Sequence, residues 1–257
     1  MAACAWCLLP SIAFSQPANR TKPLRAAIDV NWTFGLTAPE FFEDYRTLLG
    51  GTASGFSIPT GVSLSLSSFQ LGNTAFGLMG GFYKASVRET YDYDPEFYFK
   101  PTGPEQSATQ NITLSILPAM VTLDYFPVFR QFTGYLGVGA GVASVNFAWT
   151  ESMSVSTEPG ARPSGIRYDD GSIVPAAMAR AGVSLGFDDP VGSKTFAGLY
   201  LEVAYTYIPF SAPVFSSTAE TLAWSPPRAS APYDFQAGGF VLKLGFEVIL
   251  INSDKRL

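Results

Sequence analysis

From Ala26 to Thr37 every second residue is apolar: Ala26, Ile28, Val30, Trp32, Phe34 and Leu36 alternate with Ala27, Asp29, Asn31, Thr33, Gly35 and Thr37. A period of two puts the two sets on opposite faces of an extended strand, and a helix cannot separate them this way. The run is about twice the length of an average strand of five or six residues. The sheet it belongs to is therefore tall, with one apolar face and one polar or small face.

The same alternation recurs along the chain. Ile58, Val62, Leu64 and Leu66 alternate with Gly61, Ser63, Ser65 and Ser67; Leu136, Val138, Ala140 and Val142 with Tyr135, Gly137, Gly139 and Gly141. Further runs cover Ala177 to Phe187, Leu199 to Tyr207 and Phe240 to Leu250. Two segments are less regular. Phe76 to Glu89 carries glycine on both faces, and in Ile112 to Tyr125 the apolar set changes face at Pro118, the pattern of a bulge. The total is eight strands. Short turns are expected near Leu71-Gly72-Asn73, over 126–131 and near Val191. They alternate with long connections at roughly 38–57, 90–108, 150–173 and 209–233, rich in Pro, Gly, Ser and Asp. Strict alternation of short and long connections is the layout of an up-and-down transmembrane β-barrel, with short periplasmic turns and long external loops.

The minor face decides which side meets lipid. Glycine, serine, threonine and scattered charges make a poor hydrophobic core but fill a narrow polar lumen, so the apolar face points outward. Only 14% of the 257 residues are charged, and no apolar run reaches the eighteen residues of a spanning helix. Aromatics gather near strand ends, at Trp32, Tyr91, Tyr125, Phe126, Phe129, Phe132, Trp149, Tyr207 and Phe210, as interfacial girdles would. The first long connection carries Phe41, Phe42, Tyr45, Leu48 and Leu49 at helical spacing. These read either as a short helix over the barrel mouth or against its inner wall, or as an irregular loop. Residues 1–15 read as a cleaved signal peptide, 16–23 as a short leader, 24–251 as the barrel and 252–257 as a tail.

This architecture resembles the small eight-stranded outer-membrane barrels of Gram-negative bacteria, of the OmpX, OmpW and OmpA-barrel type. The resemblance spans about 24–251. The last strand adds a sharper local match: Lys243, Gly245, Val248 and Leu250 fit the polar, glycine and hydrophobic positions of the assembly signal of such barrels. The resemblance implies that the barrel-insertion machinery reads these residues. The sequence departs from the pattern in continuing past Ile251 and in lacking a terminal phenylalanine.

An eight-stranded bore is just wide enough for side chains to fill, so inward charges must be paired. Arg180 is expected opposite Glu202, with Lys243 at the same height, as one ionic layer. Asp29 and Glu247 form a lower set drawing on Lys243, with Asp124 near the rim and Lys84 and Arg88 as inward bases nearer the outside. The layer reads either as a plug or as the lining of a narrow solute path.

The chain has no histidine, and its two cysteines are Cys4 and Cys7. Serine–histidine and aspartate–histidine chemistry is excluded, and no catalytic residue, metal site or cofactor is expected. Gly137-Val138-Gly139-Ala140-Gly141 resembles a dinucleotide loop but lies inside a strand, where its glycines make room for bulk. Asp92, Asp94 and Glu96, and the pair Asp169-Asp170, lack the spacing of a calcium loop. A net charge of −5 without a basic cluster gives no nucleic-acid surface. The expected partners are outer-membrane lipid and the insertion machinery. Three roles remain open: a structural or surface-interaction protein, an OmpW-like channel for small apolar solutes, and an accessory of a secretion machine like the PorT-like barrels. For the channel, Phe41, Phe42 and Pro118 mark where a sideways opening would lie.

Overall fold

The computed structural model describes residues 23–49, 52–92, 107–127, 132–153, 165–187, 195–212 and 232–250. The expected signal peptide, the leader up to its last residue, the turn near Val191 and the tail lie outside these residues. The wall consists of β1 (Leu24–Phe34), β2 (Thr60–Leu71), β3 (Thr74–Asp92), β4 (Ser107–Tyr125), β5 (Phe132–Met153), β6 (Gly165–Gly186), β7 (Thr195–Tyr207) and β10 (Gly239–Leu250). A helix, α1 (Pro39–Leu49), follows β1, and a two-stranded ribbon, β8 (Pro209–Ala212) with β9 (Tyr233–Gln236), lies between β7 and β10. Every wall strand pairs antiparallel with its neighbours, and β10 pairs with β1, so the sheet closes as an eight-stranded up-and-down barrel. Gly72 and Asn73 make the turn between β2 and β3; Gly72 sits at φ +55°, where a Cβ is costly.

The register fixes the barrel's dimensions. Hydrogen-bonded partners followed once round the wall run from Leu24 through Ser68, Phe76, Leu123, Val138, Ala179, Tyr205 and Phe240. The path re-enters β1 at Phe34, ten residues from its start. Eight strands with that stagger tilt by about 40°, enclose a backbone radius of about 8 Å and climb about 2.5 Å per residue along the axis.

With heights assigned this way, the exterior divides at one level. Below it, outward residues are apolar on every strand, as in Leu24, Ile28, Val30 and Phe34 of β1, Phe76, Leu78 and Phe82 of β3, and Phe240 to Leu250 of β10. The belt ends at Phe34, Phe82, Leu117, Val142, Tyr207 and Phe240, all within a few ångströms of one plane about 25 Å above Leu24, with Val62 of β2 about 7 Å lower. That is the height of a membrane barrel's apolar band. Above the plane β3 to β6 continue as a four-stranded wall, and their outward residues become mainly polar, as in Lys84 and Arg88, Asn111 and Thr113, Asn146 and Thr150, and Asp169, with Ile173 of β6 an exposed apolar exception. The inward face changes in the opposite sense. Serines, charges and glycines line it below the plane, whereas Ile112, Leu114, Ile116, Val145, Phe147 and Trp149 line it above and are buried.

This exchange corrects two sequence expectations. β4 runs through Pro118 with its even residues inward from Gln110 to Asp124, and Pro118 stays in register with Ala143. There is no bulge and no change of face; the solvent on each side changes instead. Lys84 and Arg88, similarly, point outward, because Tyr83, Ala85 and Val87 hold the inward positions of β3. The wall also extends into segments expected as connections, at 90–92, 107–108, 150–153 and 165–173.

Candidate functional site

The lumen is built in layers, each contributed by inward positions of several strands. At the turn end, the Arg25 guanidinium lies 5.0 Å from the Tyr135 ring centre, 5.4 Å from that of Tyr200 and 5.8 Å from that of Phe126. Its Nε donates to Glu247 Oε2 at 2.7 Å, across the β1–β10 seam. Phe69 packs on Phe126 and completes the floor.

Halfway up the belt lies the ionic layer. Lys243 Nζ is 2.8 Å from Glu202 Oε1, and Arg180 Nη1 is 3.5 Å from Glu202 Oε2. Arg180 also grips Asp124 in a fork, Nε to Oδ1 at 2.8 Å and Nη2 to Oδ2 at 2.6 Å, the strong bidentate geometry of guanidinium and carboxylate. Tyr135 donates its hydroxyl to Glu202 Oε2 at 2.7 Å. The fork fits because Gly137 stands beside it: a Cβ there would lie 3.0 Å from Arg180 Nε and overlap Asp124 Oδ1. The Tyr135 ring likewise occupies the space a side chain at Gly182 would need. Asp29 is held by hydroxyls instead of a cation, from Ser63 at 2.6 Å and Tyr200 at 2.5 Å.

The structure therefore brings Arg180, Glu202 and Lys243 together, and Asp29 sits beside them. Glu202 is in register with Lys243 and Gly182, and Arg180 with Ala204, so the arginine reaches its partner diagonally. Glu247 departs from expectation: its cation is Arg25, not Lys243. Arg25 shares the odd, inward parity of Ala27 and Asp29, and that parity was the signal available for it. Among the described residues the fully buried charges are three cations, each with a carboxylate, and four carboxylates, the fourth being Asp29. None is left bare, as burial in a narrow lumen requires.

Above the ionic layer come the inward thioethers of Met79, Met120 and Met178, with Met79 Sδ 3.3 Å from Lys243 Nζ. Then the lumen becomes apolar. α1 begins after Ala38, with Pro39 at its first position, Glu40 in its first turn and Arg46 in its last, an order that suits the helix dipole. It lies within the wall, the inner-wall form of the helix the sequence allowed. Phe41, Phe42 and Tyr45 are buried among Phe56, Phe147, Tyr233 and Phe235. Phe210 of β8 joins them through Phe235. Tyr45 donates to Glu89 Oε2 at 2.9 Å, and Tyr233 to Asp44 Oδ2 at 2.6 Å, tying the helix to the wall and the ribbon. Phe126, Trp149 and Phe210, expected in the girdles, are interior. Tyr125 and Tyr207 do face outward near the two ends of the belt. Of the assembly-signal positions, Lys243 and Gly245 point inward, and Val248 and Leu250 outward.

A closed barrel with an apolar belt outside and paired charges within is a membrane-spanning β-barrel. Three solved structures are similar to the chain. OprG, an outer membrane protein of Pseudomonas aeruginosa, is 12% identical, with 91% of this chain and 98% of that chain covered and a TM-score of 0.44. Neisserial surface protein A is 12% identical over 90% and 97%, with a TM-score of 0.33. Ail, the attachment invasion locus protein of Yersinia pestis, solved in complex with the heparin analogue sucrose octasulfate, is 9% identical over 89% and 99%, at 0.37. No protein-family model matches the chain, and no curated protein does.

Proposed function

We propose that the protein is a non-enzymatic outer-membrane barrel whose lumen is shut and whose role lies at its outer surface, as a structural or surface-interaction protein. The observation that carries this reading is the filling of the bore from end to end. A caged Arg25–Glu247 pair forms the floor, the network of Asp124, Arg180, Glu202 and Lys243 spans the middle, and the aromatic cluster of α1, β8 and β9 closes the top. Paired charges hold strands together at the bore's narrow centre, and the apolar plug above them leaves no continuous polar path among the described residues. The tall wall of β3 to β6, stiffened from inside by α1, is a platform for the external loops. Purified protein in planar lipid bilayers is expected to give no unitary conductance steps. Reproducible steps from the folded protein would overturn the shut lumen.

A second reading, a path for small apolar solutes, is favoured by one feature. β7 leaves the wall at Tyr207, whereas β6 continues from Ala176 up to Gly165 with no barrel partner on that side among the described residues. The apolar plug lies behind that margin. Uptake of an apolar fluorescent probe by vesicles carrying the protein distinguishes the two readings. Partners recovered with the membrane-extracted barrel test the third role, as an accessory of a secretion machine.

A further inference from the structure

We propose that the outer face of β3 immediately above the apolar belt binds the phosphate of an anionic lipid in the outer leaflet, with Lys84 and Arg88 as its cations. The proposal rests on the outer-membrane placement given above. Phe82 is the last apolar outward residue of β3, and Lys84 is the next outward position, about 1 Å above the plane where the belt ends. Arg88 stands about 10 Å higher on the same face. A lysine reaching up and an arginine reaching down bring both charges to a layer about 5 Å above the hydrocarbon, which is where headgroups lie.

The surroundings suit an anion. In the cross-strand rows Lys84 lies between Thr60 of β2 and Ser115 of β4, Ser86 pairs with Thr113, and Arg88 pairs with Asn111. These outward hydroxyls and amide can donate to phosphate oxygens. Among the described residues neither Lys84 nor Arg88 has a carboxylate partner, and no outward position within 60–69 of β2, 74–90 of β3 or 109–125 of β4 holds a carboxylate. The acidic member of this collar is Asp169 on β6, three strands away, where it accepts from Asn146 at 3.2 Å. A phosphate at β3 therefore displaces no ion pair. Phe82 of β3 and Leu117 of β4, both outward just below, offer the start of an acyl chain an apolar wall. The chemistry that fits is a phosphorylated headgroup with attached acyl chains, of the bis-phosphorylated lipid A kind.

The test is native mass spectrometry of the full chain folded in detergent and titrated with bis-phosphorylated lipid A, with phosphatidylcholine as the zwitterionic control. The wild type is expected to retain lipid A adducts at least fivefold more than phosphatidylcholine adducts. K84Q/R88Q is expected to lose most of that preference, while S144K, which places a cation just above the belt on β5, does not raise it. Equal retention by wild type and K84Q/R88Q overturns the site. Competition by millimolar inorganic phosphate that abolishes the preference also overturns it, because the occupant would then be a free anion. Resistance of the same samples to cold SDS reports separately on the barrel. If that resistance is present and the preference absent, the site alone fails; if the protein neither folds in detergent nor inserts in vesicles, the membrane placement fails with it.

Discussion

Replacing Glu202 with glutamine removes one charge from the centre of the lumen and changes almost nothing else in shape. The residue is 1% exposed and its carboxylate takes part in three contacts, to Lys243 at 2.8 Å, Arg180 at 3.5 Å and Tyr135 at 2.7 Å. The two cations fare differently. Arg180 keeps its two-pronged hold on Asp124. Lys243 can still donate to the glutamine Oε1 and touch the Met79 sulfur, a weak acceptor, but among the described residues it loses its counter-charge. Removing one partner of a buried pair costs about 3–5 kcal/mol, because the other charge stays desolvated. Replacing both removes that penalty, so E202Q/K243M is expected to recover most of the loss, with a coupling of at least about 2 kcal/mol. The assay is reversible urea unfolding from phospholipid vesicles, followed by tryptophan fluorescence and checked by migration in unheated SDS gels. An E202Q midpoint equal to that of wild type, or a double variant no better than the sum of the singles, would refute the reasoning.

Two further changes separate the layers. Phe41→Ala deletes a fully buried ring from the plug, and a loss of about 3–5 kcal/mol is expected for such a truncation. The damage should be local, so limited proteolysis at the loop end should accelerate while the barrel still resists cold SDS. Leu78→Arg puts a charge at mid-belt on β3 and should cost about 2–4 kcal/mol in a bilayer. Ser86→Arg, on the same face of the same strand but above the belt, should cost under about 0.5 kcal/mol by the same vesicle assay.

Much of this architecture is legible in the sequence because periodicity reports a difference between two solvents. Along β1, β2, β7 and β10 the solvents stay the same for the whole strand, so alternation gives both the strand and its facing. β3, β4 and β5 cross from one pair of solvents to the other. There the polar residues move outward and the apolar ones inward, and a reading guided by polarity misplaces Lys84 and Arg88 and finds a bulge at Pro118. Parity, unlike polarity, survives the crossing: Asp124 and Thr122 have the same facing as Ile112 and Leu114. The Arg25–Glu247 pair was harder to see, since its members lie 222 residues apart and meet only across the closing seam. The ribbon of β8 and β9 was hidden for another reason. Each strand is four residues long, too short for alternation to distinguish from loop, and both face the aromatic plug.

The most direct test of the account is the height at which the solvents exchange. Single spin labels placed along β3 from 76 to 90, in a background with Cys4 and Cys7 replaced by serine, report accessibility to oxygen from the lipid and to a water-soluble nickel complex. Even positions through 82 should favour oxygen, those from 84 upward should favour nickel, and odd positions should be shielded from both. A profile without that reversal between 82 and 84, or with accessibility on the odd positions, would contradict a bilayer-spanning barrel that exchanges its inside and outside chemistry at the belt's upper edge.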